Sequence, residues 1–244
     1  MSLYYADIFV LPLPSHHRFP MGKYVRLRER LLASGEFGEG DFRIPDAASD
    51  AEITRAHCPT YLERVAAGRL DAAEVRAIGF PWSERMVERS RRSSGATLAA
   101  AREALSRGWS ANLAGGTHHA HRARGEGFCV FNDAAITARA MQVEAGLQRV
   151  AVVDCDVHQG NGTASIFAGD DSVFTFSIHG ARNFPFAKEK SDLDTAFAAA
   201  RRPAKVEIST ANHGWTVAGS QTYDEPEAER AWTELLPFYR ANLR

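Results

Sequence analysis

The chain of 244 residues carries 29 basic and 30 acidic side chains, and its net charge of −1 gives no electrostatic reason to expect nucleic acid or membrane partners. Its length suits one sizeable α/β domain, or one domain with a fragment of another attached. Three cysteines without CxxC spacing, Cys58, Cys129 and Cys155, favour a reducing, cytoplasmic compartment over a disulfide framework.

The beginning of the chain is predicted to contain one strand followed by a helix. We expect the strand at residues 4–11 and the helix at residues 23–32, closed by Gly35. The N-terminal stretch has no basic segment and is interrupted by two prolines, so we expect neither a signal peptide nor a membrane span. The loop between strand and helix is rich in histidine, arginine and proline. It either lines a pocket or is a rigid connector.

Two further helices are expected at residues 53–70 and 81–107 from their apolar periodicity. Small residues mark one face of the second helix, which predicts close packing of that face. The arginines of this helix are interpreted as a solvated stripe whose aliphatic stems cover the helix surface. They are Arg85, Arg89, Arg91 and Arg92.

Two adjacent histidines follow a pair of glycines in the middle of the chain. Gly115 and Gly116 permit a backbone that most residues cannot adopt, and they precede His118 and His119. Imidazole titrates near the working pH, so two rings beside a metal-bound water can supply the base and the acid of a hydrolysis. The alternative is a loop pair that makes only structural hydrogen bonds.

A helix is expected at residues 133–145, capped by Asn132 or Asp133. It leads into the apolar strand VAVVD, and a shorter helix at 163–167 and a strand at 172–179 follow. Strands alternating with helices predict a parallel sheet in an α/β fold. Functional residues of such sheets lie at the carboxyl ends of the strands.

The apolar run VAVVD continues into CDVHQGNG and places Asp154, Asp156 and His158 at alternate positions. If the segment is extended, these side chains share one face, because a strand repeats every two residues. Buried carboxylates require a positive partner. Carboxylate and imidazole ligands suit zinc or another first-row metal, and we therefore predict a metal site. The alternative is a strand that ends in a polar loop.

Five segments, in order, resemble the zinc-dependent histone deacetylase family, specifically bacterial members similar to class IV. From about Tyr5 to Asp194 they are LPLPSHHRFPMGKY, IGFPWSERMVERSRRS, GGTHHAHRARGEGFCVFND, VVDCDVHQGNGT and FSIHGARNFPFAKEKSDLD. The resemblance implies an arginase/deacetylase-like three-layer α/β/α fold with a mainly parallel sheet. It also implies a zinc ion, with Fe²⁺ as the alternative, that polarises an acyl-amide carbonyl and activates water.

The resemblance further implies roles for individual residues. Asp156 and His158 correspond to zinc ligands, and His118 and His119 correspond to the paired catalytic histidines. Asp154 corresponds to the carboxylate that orients His118. These five residues form the predicted catalytic centre.

Other residues match the surroundings of that centre. The walls of the acyl-lysine channel are matched by Gly127, Phe128 and Phe184. The resemblance also implies a monovalent cation site near Ser177, which Asp154 shares. Asn161 stands where the family often has an aspartate, so the partner of His119 is expected to be weaker here.

The family pattern stops after Asp194. A third zinc ligand, an aspartate in an AGxDP-like turn, and a Gly-Gly-Tyr whose hydroxyl stabilises the oxyanion do not appear in the sequence. We therefore predict an incomplete deacetylase-like domain at residues 1–194. Residues 195–244 are predicted to replace the C-terminal part of the fold with a foreign strand and helix.

The segment after residue 194 resembles the C-terminal end of dienelactone hydrolases. By that resemblance, residues 205–209 are the last strand, His213 is a triad histidine and residues 227–243 form the closing helix. The nucleophile elbow of that fold is missing, and the sequence around Cys129 lacks the second glycine that the elbow needs.

Four functions follow from these patterns. The first is a deacylase, with reduced activity, that acts on an acyl-lysine protein or an acetylated small amine. The second is a non-catalytic binder of a metal or an acyl ligand. The third is a truncated or fused product without function, and the fourth is a serine or cysteine hydrolase that uses His213.

Overall fold

The computed structural model describes residues 1–196, together with residues 225, 226, 228–230 and 233. The helices in this part are α1 (Lys23–Ala33), α2 (Asp50–Ile53), α3 (Pro59–Ala66), α4 (Ala72–Ile78), α5 (Glu84–Arg107), α6 (Asp133–Ala145) and α7 (Asn161–Ile166). The strands are β1 (Leu3–Tyr4), β2 (Phe42–Arg43), β3 (Ala111–Asn112), β4 (Val150–Asp154), β5 (Val173–His179) and β6 (Leu193–Ala196).

The strands form two three-stranded sheets, in the orders β2-β1-β3 and β4-β5-β6. Every strand pair in both sheets is parallel, so the predicted parallel α/β architecture is confirmed. Helices α5 and α6 pack against each other, and α6 contacts β4. Helix α6 lies between β3 and β4 in the chain and packs against β4. The carboxyl ends of β3 and β4 therefore lie in the same region.

The predicted strand at residues 4–11 is wrong beyond its first residue. Strand β1 ends at Tyr4, and a 3₁₀ turn at Asp7–Phe9 follows. This turn buries Phe9 completely, with its ring edge-on to Tyr5. Burial of a large aromatic side chain outweighs a strand pattern of only a few residues.

The predicted helix at residues 53–70 is confirmed only over α3, at Pro59–Ala66. Helix α2 ends at Ile53, and α3 begins at Pro59, where the absence of an N–H suits the first helical position. The residue before it, Cys58, is extended, as proline requires. Between the two helices, His57 is fully buried.

Helix α5 confirms the prediction for 81–107, beginning after Ser83, whose side chain accepts a hydrogen bond from the backbone of Met86. The small residues on its face allow close contact. A Cβ atom on Gly95 would lie 2.0 Å from the carbonyl oxygen of Asp46. Helix α1 likewise confirms the helix expected at 23–32, and Gly35 follows it with a φ of 72°.

The solvated arginine stripe predicted on α5 is wrong for Arg89. Its side chain is buried, with Nε donating to the carbonyl of Phe9 at 3.0 Å and Nη2 donating to the hydroxyl of Tyr24 at 2.8 Å. These bonds satisfy a buried guanidinium that would otherwise be costly. Arg91 and Arg92 are half-buried, and only Arg85 of the four is exposed.

One face of the β4-β5-β6 sheet carries exposed apolar side chains. In register across the three strands lie Val153, Phe176 and Leu193, and Phe174 shares their face. Val153 is 65% exposed and Phe174 48% exposed. Parallel sheets are usually covered on both faces. Within the described part of the chain this face is uncovered, and no helix there is long and apolar enough to cross a membrane.

Candidate active site

The two adjacent histidines lie on the loop that follows β3, and two buried residues hold this loop. The carboxylate of Asp133 accepts from the backbone N–H groups of Gly116, at 3.0 Å, and Thr117, at 2.8 Å. Asn132 donates from Nδ2 to the carbonyl of Ala120 at 3.0 Å. The Oδ1 of Asn132 also caps α6, as one of the two predicted alternatives. The rings of His118 and His119 therefore have a rigid support.

His118 contacts the carboxylate at the end of β4. Its Nδ1 lies 2.5 Å from Oδ2 of Asp154. Burial acts to lower the pKa of His118, but the hydrogen bond and the charge of Asp154 outweigh it and the pKa is raised. The pair therefore favours a protonated His118.

His119 has a neutral partner and the opposite shift. Its Nδ1 lies 2.7 Å from Oδ1 of Asn161, and the two histidine rings are 4.1 Å apart between centroids. Burial, followed by the neighbouring charge of His118, lowers the pKa of His119 to about 4. The neutral ring of His119, which has one nitrogen without a hydrogen atom, therefore lies beside the ring of His118, which favours its protonated form.

The extended conformation that would place Asp154, Asp156 and His158 on one face of a strand is wrong beyond Asp154. The strand ends at Asp154, and the chain then turns, because the Asp154 carboxylate accepts from the N–H of Asp156 at 3.0 Å. Likewise, Asp156 accepts from the N–H of His158 at 2.7 Å. Aspartate commonly favours such turns by bonding the backbone two residues on.

The turn leaves Asp156 and His158 as one possible pair of metal ligands. Oδ1 of Asp156 lies 3.0 Å from Nδ1 of His158. Burial acts to raise the pKa of Asp156, but hydrogen bonds from His158 lower it well below its usual range. Across residues 1–196 and the few described beyond them, no three His, Cys, Asp or Glu side chains are grouped to hold a metal ion. The pair has suitable donor chemistry for zinc but is an incomplete set.

An aromatic residue and a glycine flank the second histidine. The ring of Phe184 lies 5.0 Å from that of His119 and 6.1 Å from that of His158. A Cβ atom on Gly127 would lie 2.7 Å from Cδ2 of His119 and 3.0 Å from Cε1 of Phe184. Only glycine fits there, and its φ of 56° is also in the left-handed region. Gly127 and Phe184 therefore pack closely against His119 and against each other.

Phe128 packs in an aromatic cluster that the sequence did not indicate. Its centroid lies 4.9 Å from that of Phe19 and 5.2 Å from that of Phe80. The guanidinium of Arg18 lies 5.1 Å above its ring. His17 bonds the carbonyl of Gly79 at 2.9 Å and stacks on Phe80. The histidine-rich loop is therefore packed against the residues that hold Phe128 in place.

The remaining candidates have defined positions. Ser177 pairs with Asp154 across β4 and β5, and its hydroxyl lies 2.9 Å from Nδ1 of His179. Cys129 is buried, and burial raises the pKa of its thiol to about 12, which suits a small buried side chain and not a nucleophile. All three cysteines are free thiols.

The features predicted for the C-terminal segment mostly lie outside the described residues. These are the strand at 205–209, His213 and most of the helix at 227–243. At the end of the described core, Asp194 accepts from Gln159 at 3.0 Å and from the backbone of Ser191 at 2.9 Å. Asp194 is thus engaged in fixing its own loop.

Comparisons with known proteins show the family of this chain. The family model for the histone deacetylase domain matches residues 17–224. An uncharacterized protein of Picosynechococcus sp. is 43% identical over 79% of this chain and 64% of its own length. The acetoin utilization protein AcuC of Bacillus subtilis is 32% identical over 70% of this chain and 46% of its own. Histone deacetylase 2 of Arabidopsis thaliana is 28% identical over 74% of this chain and 48% of its own.

Solved structures share the fold. An HDAC homolog crystallised with SAHA superposes with a TM-score of 0.63 and 25% identity, over 76% of this chain and 53% of that chain. An HDAC homolog from Aquifex aeolicus has a TM-score of 0.64 and 21% identity, over 80% of this chain and 57% of that chain. The chain spans about half to two thirds of the length of these relatives. The family match continues past Asp194, so the boundary near that residue stays a prediction.

Proposed function

The chain belongs to the histone deacetylase family, and from this membership we propose that it is a zinc-dependent hydrolase that removes acetyl or other acyl groups from lysine-type amides. The proposed substrate is an acyl-lysine protein or an acetylated small amine. The observation that carries the proposal is the pair of buried histidines, one bonded to the Asp154 carboxylate and the other to the Asn161 amide, whose pKa values shift in opposite directions. Groups whose surroundings push their pKa values apart are suited to act as an acid and a base.

Each histidine has a proposed part in proton transfer. His119 is neutral at pH 7, so its free ring nitrogen can take the proton of the attacking water. His118, whose protonated form Asp154 favours, stabilises negative charge that develops beside it. Phe184 and Gly127 bound the space next to His119 and limit the access of water there.

Zinc, with Fe²⁺ as the alternative, would be held by Asp156 and His158, and would polarise the acyl carbonyl and lower the pKa of a bound water. Catalytic zinc sites usually have three protein ligands. The described residues offer two in one place, so we propose weak binding that mild chelation reverses.

The proposed activity is impaired. The sequence lacks the family's Gly-Gly-Tyr, and loss of one oxyanion donor typically reduces turnover by about a hundred- to a thousand-fold. The incomplete ligand set favours a second candidate, a non-catalytic binder of a metal or an acyl ligand. An inactive truncated or fused product is the third. The raised pKa of Cys129 argues against a cysteine hydrolase.

The deciding experiment measures the metal content of the purified chain together with hydrolysis of an acetyl-lysine peptide. We expect weak, metal-dependent hydrolysis that His119→Ala or Asp156→Ala abolishes, while His16→Ala, which changes an exposed histidine, leaves it unaltered. Replacing residues 195–244 with an intact family C-terminus should raise the rate. Robust turnover by the unmodified chain would refute the impairment. Metal binding without hydrolysis would favour the non-catalytic binder.

A further inference from the structure

Asn161, the hydrogen-bond partner of His119, also contacts two side chains that the sequence did not single out. Nδ2 of Asn161 lies 3.3 Å from Nε2 of His121 and 3.4 Å from Oε2 of Glu126. On its other side, Oδ1 of Asn161 lies 2.7 Å from Nδ1 of His119. The amide of Asn161 is buried and thus connects His119 to a second layer of polar groups.

Both groups that face Nδ2 of Asn161 are hydrogen-bond acceptors. The ionised carboxylate of Glu126 can only accept. His121 lies 3.0 Å, through its Nε2, from Nη2 of Arg124, which can only donate. Nε2 of His121 also lies 3.5 Å from Oε2 of Glu126, but its shorter contact is with the Arg124 donor, which favours a lone pair on Nε2. Burial together with the charge of Arg124 lowers the pKa of His121, which favours that neutral form.

This arrangement permits only one orientation of the Asn161 amide. If the amide were rotated by half a turn, its oxygen would face the Glu126 carboxylate and the His121 lone pair, and no hydrogen atom would separate these acceptors. In the observed orientation the oxygen faces His119, so the nitrogen nearest to it must carry the hydrogen. The tautomer of a histidine is set in this way by the hydrogen bond at its other nitrogen.

We propose that Glu126 and His121 are positioning residues that fix the Asn161 amide, and through it hold His119 in the tautomer protonated at Nδ1. The free nitrogen of His119 is then Nε2. The role of this Nε2 atom as a general base rests on the proposed hydrolase function. The tautomer itself does not, so it is measurable in a chain that hydrolyses nothing.

The fixed orientation of Asn161 accounts for an amide at the position where the family often has an aspartate. A carboxylate accepts from His119 in any orientation and needs no second layer to hold it. In this chain, however, an aspartate at 161 would face Glu126 at about the 3.4 Å that now separates Nδ2 and Oε2. Two carboxylates at that distance disfavour joint ionisation. Asn161 and Glu126 therefore act as a matched pair.

The test reads the tautomer of His119 directly by long-range ¹H–¹⁵N NMR of the full ¹⁵N-labelled chain at neutral pH, with His119→Gln used for assignment. We expect one dominant Nδ1–H form in the unmodified chain. Glu126→Gln should shift both ring nitrogens toward the average of the two tautomers, because glutamine can donate as well as accept. Asn161→Leu should do the same, since it removes the acceptor.

The control is Glu189→Gln, which removes an exposed carboxylate that also acts on His121 by charge but has no hydrogen bond to Asn161 in the described structure. It should leave the tautomer unchanged. The double variant Asn161→Asp with Glu126→Gln should restore the Nδ1–H form. An unchanged His119 in a folded Glu126→Gln chain would overturn the proposal, as would an equal shift in Glu189→Gln.

The same variants separate this proposal from the proposed function. If the chain hydrolyses acetyl-lysine, kcat should fall in Glu126→Gln and recover in the double variant, with KM little changed. If the chain hydrolyses nothing, the NMR result still decides whether Glu126 and His121 fix the tautomer of His119. A tautomer shift without activity in any variant would overturn the hydrolase proposal alone.

Discussion

The buried His57 should make the stability of this protein depend on pH. His57 is 0% exposed, and its Nε2 accepts from the backbone N–H of Asn132 at 2.8 Å. A protonated ring could not accept this bond and would leave a charge in the core. Burial is the main cause that lowers the pKa of His57 from 6.5 to about 4.

The size and sign of the effect follow from this shift. Between pH 6.5 and about 4 the unfolded chain binds more protons at this position than the folded chain, so the free energy of unfolding falls as the pH falls. The contribution is fully present above pH 6.5. From pH 7.5 to pH 5 the loss amounts to about 2 kcal/mol, and far below both pKa values it approaches about 3.4 kcal/mol.

The assay is urea denaturation of the unmodified chain and of His57→Gln between pH 7.5 and pH 5. Glutamine can still accept from Asn132 but does not titrate. The difference between the two free energies of unfolding should therefore shrink by about 2 kcal/mol on acidification. The exposed His16→Gln serves as the control and should follow the unmodified chain. A difference that is constant with pH would show that His57 does not resist protonation.

Three further predictions concern packing, metal and the C-terminal segment. Gly95→Ala places a methyl group 2.0 Å from a backbone carbonyl and should lower stability by about 1–3 kcal/mol or more, whereas Gly40→Ala, in open space, should change the melting temperature little. Zinc should be lost on dialysis against EDTA; stoichiometric zinc after dialysis would mean that a further ligand exists. His213→Ala should leave any amide or ester hydrolysis unchanged, while His119→Ala removes it. An esterase activity that is lost only in His213→Ala would instead identify His213 as the catalytic histidine.

The sequence alone determined the features that depend on local periodicity and caps. The apolar run of β4, the strand at β5 and the long pattern of α5 are strong signals, since each extends over several residues. The histidine pair and its family resemblance could also be recognised, because the glycines and histidines of this motif are close together in the sequence. The predicted parallel α/β fold followed from the order of these elements.

Only the tertiary structure decided which side chains meet. Arg89 has the pattern of a surface residue, yet the hydrogen bonds that it donates to Phe9 and Tyr24, which are distant in sequence, allow its burial. The alternation of Asp154 and Asp156 predicted an extended segment, but the Asp154 carboxylate accepts from the backbone N–H of Asp156 and the chain turns instead. The contacts behind Asn161 join the first residue of α7 to His121 and Glu126 in the loop between β3 and α6, and no period or spacing in a sequence records such a contact. The hydrogen bonds of Arg89 and those behind Asn161 form in surroundings where burial removes competing water.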